Sequence, residues 1–244
     1  MSTIDSKRIL ILSTDTPHHR YFINQLIDNG IPLAGCLFET TSLEPPFPAG
    51  SVFASEEAAF EAAHFFTETR NDLERTEVHQ FPDITKPDAV AAIQNSKPDL
   101  GVVFGTRRLT PDVINLFRDG LINMHRGIAS EYRGLDSDLW AIYHRDWANI
   151  GGTVHMIDAD LDTGPILATE SLNISRNLAC HQLRYHTTKI VTRLAVQSLK
   201  EYLAGAMSGI PQNKLGRYYS FMPIDLKQIV ARRFDRYCEQ LPVE

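Results

Sequence analysis

The sequence predicts an α/β fold: a Rossmann-like, mostly parallel twisted sheet with helices on both faces, plus a short C-terminal hairpin and helix. Residues 8–13 and 99–104 are short, continuous apolar runs, as in parallel strands that are buried on both faces. Apolar residues recur at helical spacing between such runs. Strands that alternate with helices favour parallel pairing, and such sheets bind ligands at the carboxyl ends of their strands.

The first half of the chain begins with the strand at residues 8–13. The helix that follows it ends at Asn29-Gly30, and a strand pattern resumes over residues 31–38. Residues 41–83 hold a proline-rich loop and a further helix. We interpret this segment as an elaboration between strands and not as a separate domain.

The next elements follow the same alternation. The strand at residues 99–104 precedes Thr110-Pro111, an N-cap followed by a proline at the first helical position. Gly120 is predicted to end that helix, and residues 121–124 form the next strand.

The longest helix is predicted over residues 178–203, with Gly205 as its stop. We therefore divide the chain into a main domain at residues 1–205 and a C-terminal extension at residues 206–244. The extension is too short for a core of its own. We expect it to cover a ligand cleft or a dimer partner.

Composition narrows the class of protein. The chain has 244 residues, 43% of them hydrophobic, which is enough for a buried core. Its net charge of −6 disfavours nucleic-acid partners and favours a small-molecule ligand. The distant Cys36, Cys180 and Cys238 indicate neither a disulfide framework nor a thiolate zinc site. With no signal-peptide core and no apolar run approaching about 18 residues, we expect a cytoplasmic protein without membrane contact.

Side chains of complementary chemistry stand near strand ends within residues 121–167. Asn123 and His125 end one apolar strand, and Asp162 lies in the turn after the next. An amide donor, an imidazole that titrates near neutral pH and a carboxylate can together catalyse proton transfer. Singly, the Asn would be a turn former and the Asp a cap. In this ordered set they predict an enzyme.

This region resembles the folate-dependent formyltransferase family, which includes glycinamide ribonucleotide, methionyl-tRNA and nucleotide-sugar N-formyltransferases. Several motifs in fixed order carry the resemblance, which extends more weakly over residues 8–205. The motifs are Asn123-Met124-His125, Tyr132-Arg133-Gly134, Trp140-Ala141-Ile142, Gly151-Gly152-Thr153-Val154-His155 and Asp162-Thr163-Gly164-Pro165-Ile166-Leu167.

The resemblance implies transfer of a formyl group from the co-substrate 10-formyltetrahydrofolate to an amine, with Asn123, His125 and Asp162 as catalytic triad. Attack by the amine develops negative charge on the formyl oxygen, to which Asn123 can donate a hydrogen bond. His125 can support the same oxygen as imidazolium or accept the amine proton. We expect the Asp162 carboxylate to orient His125 and to raise its pKa.

The resemblance also implies that main-chain groups bind the pterin ring, from the strand end before Asn123 and from the loop before Asp162. The candidate residues in these segments are Arg107, Leu109, Ile157, Asp158 and Asp160. The candidates for substrate contact or support of the site are His155, Arg126, Tyr132 and Arg133. His155 is either a partner of Asp162 or a core histidine, and Tyr132 and Arg133 are equally compatible with packing. We expect no metal, because a further plausible ligand is missing.

The sequence departs from the family pattern at three places. Residues 126–130 keep the length of the usual Pro-Ser-Leu-Leu-Pro loop without its prolines, which predicts greater mobility and puts the Arg126 cation beside the amine's path. Asp15, in the turn after the first strand, disfavours a phosphate there by repulsion. The family's tRNA-binding extension is missing and the chain is acidic, so a tRNA substrate is not expected.

These departures favour a sugar N-formyltransferase, whose acceptor is a nucleotide-linked amino sugar for surface glycans such as lipopolysaccharide. The segment Tyr218-Tyr219-Ser220-Phe221 resembles the tail of that group. Three alternatives stay open: formylation of an amino-acid-derived amine, hydrolysis of 10-formyltetrahydrofolate to formate, and a non-catalytic folate-binding module. The long helix and the tail suggest a homodimer.

Overall fold

The computed structural model describes residues 7–67, 73–158 and 162–243. The strands are β1 (Ile9–Ser13), β2 (Leu33–Glu39), β3 (Val78–Phe81), β4 (Leu100–Val103), β5 (Leu121–His125), β6 (Tyr132–Gly134), β7 (Gly151–Met156), β8 (Ile166–Ser171) and β9 (Arg217–Tyr219). The α-helices are α1 (Pro17–Asp28), α2 (Ala54–His64), α3 (Pro87–Ser96), α4 (Pro111–Ile114), α5 (Ser137–His144), α6 (Leu183–Leu203) and α7 (Ile224–Glu239).

Seven strands form the main sheet, in the order β3-β2-β1-β4-β5-β7-β8. The five strands from β3 to β5 pair in parallel, and β7 and β8 are added antiparallel. The predicted Rossmann-like, mostly parallel sheet is confirmed. The carboxyl ends of β1, β4 and β5 therefore meet at one edge, where a ligand site is expected in such sheets.

Helices cover both faces of the sheet, as predicted. Alternate residues of β1 enter different apolar clusters: Ile11 packs with Phe22 of α1 and Val191 of α6, whereas Leu12 packs with Ile93 of α3. All five side chains are fully buried. Burial of each such side chain contributes about 1.5–3 kcal/mol, so these two layers fix the strand ends in place.

Two helix boundaries differ from the prediction. Helix α4 ends at Ile114 and not at Gly120, because the chain continues in tight turns that carry Phe117 into the core. Helix α6 begins at Leu183, after a separate 3-10 turn at Cys180–Gln182, so residues 178–182 are not part of it.

The C-terminal extension contains a strand and a helix, but not the predicted hairpin. Strand β9 pairs in parallel with β6. Helix α7 buries Val230 and Phe234 against Ala141 and Ile142 of α5, in a third apolar cluster. The extension thus packs against the segment that follows β5.

The elaboration at residues 41–83 contributes to the sheet as well as to the surface. Its helix α2 is followed by β3, which forms the edge strand beside β2. Among the helices within residues 7–67, 73–158 and 162–243, none combines the length and apolarity that a membrane crossing requires.

Candidate active site

Two antiparallel strands place Asn123 and His155 opposite each other. In β5, Asn123 and His125 are separated by one residue, so their side chains leave the same face of the sheet. Strand β7 pairs with β5 in a register that makes His155 the partner of Asn123. Directly opposed residues of antiparallel strands have neighbouring side chains, so three polar groups meet at the carboxyl end of β5.

Asp162 joins this group from the turn after β7. Its Oδ1 accepts a hydrogen bond from Asn123 Nδ2 at 3.1 Å and lies 3.3 Å from His155 Nε2. Its Oδ2 accepts a hydrogen bond from the backbone N–H of Gly134 at 2.8 Å and lies 3.8 Å from His125 Nδ1. The structure therefore brings together the predicted Asn, His and Asp, with His155 as a fourth member.

Carbonyl oxygens fix which ring nitrogen carries hydrogen in both histidines. His125 Nε2–H donates to the carbonyl of Tyr132 at 2.8 Å, so a neutral His125 has its lone pair on Nδ1. His155 Nδ1–H donates to the carbonyl of Met156 at 2.8 Å. Its Nε2 then accepts from Asn123 Nδ2, which lies 3.2 Å away.

Burial decides the charge of His125. It lowers the pKa of His125, and this effect outweighs the opposite one of the Asp162 carboxylate. The expected rise in this pKa is therefore wrong in its net direction. Burial also acts to raise the pKa of Asp162, but the neighbouring His125, His155 and Gly134 N–H reverse this, and the pKa of Asp162 is lowered. At neutral pH the site holds a neutral imidazole and a charged carboxylate.

The backbone of Asp162 has a conformation that needs support. Its φ is 54°, in the left-handed region, which Asp and Asn adopt more readily than most residues. Gln212 of the C-terminal extension holds this turn, because its Nε2 donates to the carbonyls of Asp162 at 3.0 Å and of Gly164 at 2.8 Å. Gly164 is required here, since a Cβ would lie 2.0 Å from the Met156 carbonyl oxygen.

Gln212 is thus a positioning residue for Asp162. We expect Gln212→Leu to lower the kcat of the protein's reaction by about 10-fold, because the carboxylate would lose its fixed orientation. Gln94→Leu, at an exposed position on α3, is the matched control and should leave kcat unchanged. If Gln212 acts through Asp162, its loss should have little further effect in an Asp162→Asn background. Additive effects of the two changes would contradict this role.

A cavity of about 570 Å³ opens at the four polar residues, and all of them line it. One part of its wall, the loop wall, consists of residues 105–109 after β4 together with Ile157 and Asp158. Another part, the helix wall, consists of residues 51–53, 135–139 and 183–184. The elaboration and the starts of α5 and α6 therefore reach the site.

The predicted cofactor-binding residues Arg107, Leu109, Ile157 and Asp158 lie in the loop wall, and Asp160 lies outside the described residues. The Arg107 guanidinium pairs with Glu39 and, at 2.8 Å, with Asp83. The Leu109 side chain is buried in the core. The side chains of Arg107 and Leu109 are thus engaged by the protein itself, which leaves the main chain of these two residues for a ligand of this wall.

The residues predicted for substrate contact or support separate into two groups. Arg126 and His155 line the cavity, whereas Tyr132 and Arg133 are not among the described residues that do so. Tyr132 acts through its carbonyl on His125, and its hydroxyl donates to Asp146 at 3.0 Å. Arg133 Nε donates to the carbonyl of Gly216 at 2.6 Å, beside the β6–β9 pairing.

The loop at residues 126–130 is anchored without prolines. Thr153 Oγ1 donates to the carbonyl of Gly127 at 2.8 Å and accepts from the N–H of Ala129 at 3.1 Å. Ile128 and Ala129 are buried. A single threonine of β7 therefore holds the chain that carries Arg126 out of β5.

The turn after β1 does not repel anions as predicted. Asp15 is exposed and pairs with Arg20 at 2.5 Å, so its charge is compensated. His18 and His19 line the cavity instead. Burial lowers the pKa of His19 to about 3 and that of His18 well below its usual value, so both rings are neutral at pH 7. The argument from repulsion is wrong.

Sequence reasoning missed several polar residues of the cavity wall: His18, His19, Glu57, Asp138 and Arg184. The pair His18-His19 follows β1 closely, and polar residues just after a buried parallel strand were a usable signal. Arg184 gave no local signal, because its place in the site depends on how α6 packs against the sheet.

Asp138 is the least expected member, since its carboxyl is only 8% exposed. Burial raises its pKa to about 7, against the opposing charge of Arg126. Its Oδ2 lies 3.2 Å from Thr187 Oγ1, which also lies 3.0 Å from the carbonyl of Leu183. The single hydroxyl hydrogen of Thr187 cannot be donated to both oxygens. If Asp138 Oδ2 carries a proton, it donates to Thr187 Oγ1, and the Thr187 hydroxyl donates to the Leu183 carbonyl.

This raised pKa predicts a pH-dependent stability. Between about pH 4 and pH 7 the unfolded chain loses the Asp138 proton while the folded protein keeps it, so the free energy of unfolding falls as pH rises. Asp138→Asn removes this titration. Relative to wild type, we expect the variant to gain a few kcal/mol between pH 4 and pH 8, measured by urea unfolding. A difference between the two proteins that does not change with pH would contradict the assignment.

The fold and the site define a class of protein. It is an α/β protein with an amide, an imidazole and a carboxylate gathered at the carboxyl edge of its sheet. Residues 49–199, more than half of the chain, match the family model described as Formyl transferase. The chain belongs to this family. The resemblance first inferred from the motifs is confirmed.

Individual relatives agree with this assignment. The methionyl-tRNA formyltransferase of Methylacidiphilum infernorum is 33% identical over 137 residues, which are 56% of this chain and 42% of that protein. The chain thus spans less than half the length of the curated relatives it matches.

Solved structures share the fold. A 4-N formyltransferase from Francisella tularensis superposes with a TM-score of 0.63 at 18% identity, covering 94% of this chain and 88% of that one. The formyltransferase PseJ from Anoxybacillus kamchatkensis, solved in complex with UDP-4,6-dideoxy-4-formamido-L-AltNAc and tetrahydrofolate, gives a TM-score of 0.55 at 23% identity, covering 87% and 85%.

Proposed function

We propose that the protein transfers a formyl group from 10-formyltetrahydrofolate to the amine of a nucleotide-linked amino sugar. The observation that carries this proposal is the convergence of Asn123, His125 and Asp162 on one cavity, with the His125 Nδ1 to Asp162 Oδ2 distance at 3.8 Å. Family membership supports formyl transfer as the reaction.

The donor is assigned to the loop wall. A pterin ring carries several hydrogen-bond donors and acceptors in one plane, and exposed main-chain groups can read such an edge. The side chains of Arg107 and Leu109 are held by the protein, which leaves the backbone of residues 105–109 to face the cavity beside Ile157 and Asp158. The folate bound to PseJ supports the same class of donor.

The amine proton is assigned to His125. The Nε2–H of its ring is bound to the Tyr132 carbonyl, so the free lone pair is on Nδ1, and the neutral form prevails at pH 7. An amine placed between Nδ1 and Asp162 Oδ2 can donate one hydrogen to each. His125 then acts as the general base once the nitrogen has become positively charged, and the Asp162 carboxylate stabilises that charge.

The formyl oxygen is assigned to Asn123. As negative charge develops on this oxygen, a preorganised amide donor can lower the barrier by about 3 kcal/mol. Both hydrogens of Asn123 Nδ2 are directed to Asp162 and His155, so one of these contacts must be given up when the oxygen binds. The contact with His155, at 3.2 Å, is the one we assign to be released, because the ring keeps its other partner at Met156.

The acceptor is assigned to the helix wall. This wall holds Asp138 and Arg184, and Arg126 lines the same cavity. PseJ, solved with a formylated UDP-sugar, supports a nucleotide-linked sugar as the acceptor class. The net charge of −6 disfavours a tRNA acceptor.

The test is an acceptor panel. Purified protein is given 10-formyltetrahydrofolate with nucleotide-linked 3-amino and 4-amino sugars, amino-acid-derived amines such as hydroxylated ornithine, methionyl-tRNA, or no amine. We expect release of tetrahydrofolate that depends on an amino sugar. Transfer only to an amino-acid-derived amine or to tRNA would overturn the acceptor. Equal donor consumption without amine would indicate a hydrolase, and folate binding without turnover a non-catalytic module.

A further inference from the structure

A partly buried cation faces the cavity directly after the proposed base. Arg126 follows His125 in the chain, lines the cavity and is only partly accessible. Within residues 7–67, 73–158 and 162–243 its guanidinium has no hydrogen bond and no ion pair within 4 Å. A guanidinium carries five N–H donors, and leaving them unpaired in a buried place is unfavourable unless a ligand uses them.

The carboxylates nearest to Arg126 are engaged elsewhere. Glu61 receives two hydrogen bonds from Arg184, at 2.6 Å and 3.0 Å. Asp136 pairs with Lys227 at 2.9 Å and also accepts the N–H of Met222. These cations neutralise the two acidic groups, so neither compensates the charge of Arg126.

Asp138 is the remaining acidic neighbour of Arg126. Its side chain is more than nine-tenths buried and lines the same cavity. Its Oδ2 is used by Thr187, its Oδ1 is enclosed by the protein, and the backbone N–H of Gly151 acts on the same carboxyl. Because burial keeps this carboxyl substantially protonated near pH 7, it leaves the Arg126 charge only partly balanced. The guanidinium of Arg126 is thus the group that faces the cavity with a charge its acidic neighbours do not balance.

We propose that Arg126 forms an acceptor subsite in which its guanidinium binds an anionic oxygen, of a phosphate or a carboxylate, in the cavity. This subsite rests on the proposed function in taking the bound molecule to be the formyl acceptor. It defines the acceptor as a small amine that carries an anionic group.

The chemistry of the guanidinium explains this choice of ligand. Guanidinium is the preferred partner of phosphate and carboxylate, because its fork can donate two parallel hydrogen bonds. An anion held by Arg126 would fix the acceptor at a second point, apart from the amine that reacts at His125. Such binding orients the amine without taking part in bond formation.

The test measures anion binding by titration calorimetry on the full chain. The probes are UDP, dTDP and inorganic pyrophosphate for phosphate, and ornithine for a carboxylate. The variants are Arg126→Met, Arg126→Lys and Asp138→Asn, with Arg145→Met as the control at an exposed arginine outside this cavity. Tetrahydrofolate is titrated into every protein to show that the fold and the donor site are intact.

We expect wild type and Arg145→Met to bind at least one probe equally, and Arg126→Met to bind it about 10- to 100-fold more weakly. Arg126→Lys should lie between them, because it keeps the charge and loses the fork. Asp138→Asn, which removes a partial negative charge beside Arg126 and no contact with the probe, should bind it at least as tightly as wild type. The probe that binds identifies phosphate or carboxylate as the anion. Equal binding by wild type and Arg126→Met, or no probe bound by wild type at millimolar concentration, would overturn the subsite.

Kinetics separate this inference from the proposed function. With an accepted amine, Arg126→Met should raise KM about 10-fold or more and change kcat little. A fall in kcat with unchanged KM would contradict the subsite. If no amino sugar is formylated but the anion titrations depend on Arg126, the acceptor assignment fails while the subsite stands. If amino sugars are formylated without any dependence on Arg126, the subsite alone fails.

Discussion

Replacing His125 with alanine is expected to lower the kcat of formyl transfer by about 100-fold or more. The variant loses the Nδ1 lone pair that accepts the amine proton, whereas the ring's Nε2–H to the Tyr132 carbonyl is a local contact whose loss leaves the sheet intact. The measurement is steady-state release of tetrahydrofolate with a saturating acceptor. Binding of tetrahydrofolate should be unchanged.

The pH dependence of activity provides a second test of the His125→Ala variant. The base must be unprotonated, and burial lowers the pKa of His125 below 6.5, so wild-type activity should rise with pH over a limb that lies below pH 6.5 and then level off. His125→Ala should lack this limb. His79→Ala is the control, because His79 is an exposed residue of β3 whose ring pairs with Glu77. This variant should keep the wild-type kcat and the wild-type pH profile. Wild-type turnover in His125→Ala would exclude it as the base.

Asp162→Asn is the second change with a large expected effect, again a loss of about 100-fold or more in kcat. Asn tolerates the left-handed φ of 54° as well as Asp does, so the turn should keep its shape while the negative charge is removed. The charge of Asp162 acts to raise the pKa of His125. Its removal should therefore move the acidic limb of the pH profile to still lower pH.

The control for Asp162→Asn is Asp88→Asn, an exposed acidic residue of α3 that does not line the cavity. It should retain wild-type activity, because Asp88 contacts neither the cavity nor the group that surrounds the reacting nitrogen. Turnover by Asp162→Asn at the wild-type rate would mean that the carboxylate charge is not used. If the acidic limb of the Asp162→Asn profile lay at the same pH as in wild type, Asp162 and His125 would not be electrostatically coupled.

Local sequence patterns were sufficient to predict the sheet and the three central residues. Asn123 and His125 share one face of a strand, and Asp162 follows the antiparallel neighbour of that strand, so chain connectivity alone brings them near one another. The contact between Gln212 and the Asp162 turn was not predictable in this way. It joins residues that are 50 positions apart through the packing of the C-terminal extension.

Errors arose where burial or distant partners decide the outcome. The pKa of His125 was expected to rise beside Asp162, but desolvation has the larger effect and depends on the whole cavity. Asp15 was expected to repel anions, but Arg20 one helical turn later pairs with it. Asp138 was not predicted as a site residue, because an Asp near a helix start is usually on the surface. It is buried because α6 packs over it.

The proposed reaction moves one formyl group from folate to an amine at the Asn123, His125 and Asp162 cluster. Its most direct test is a single-turnover reaction with 10-formyltetrahydrofolate labelled with carbon-13 in the formyl group, followed by NMR with an amino-sugar acceptor. We predict that wild type moves the label into a formamide on the acceptor, and that His125→Ala and Asp162→Asn leave it on folate. Label that appears as free formate at a rate independent of the amine, or formamide made equally fast by these variants, would contradict formyl transfer at this cluster.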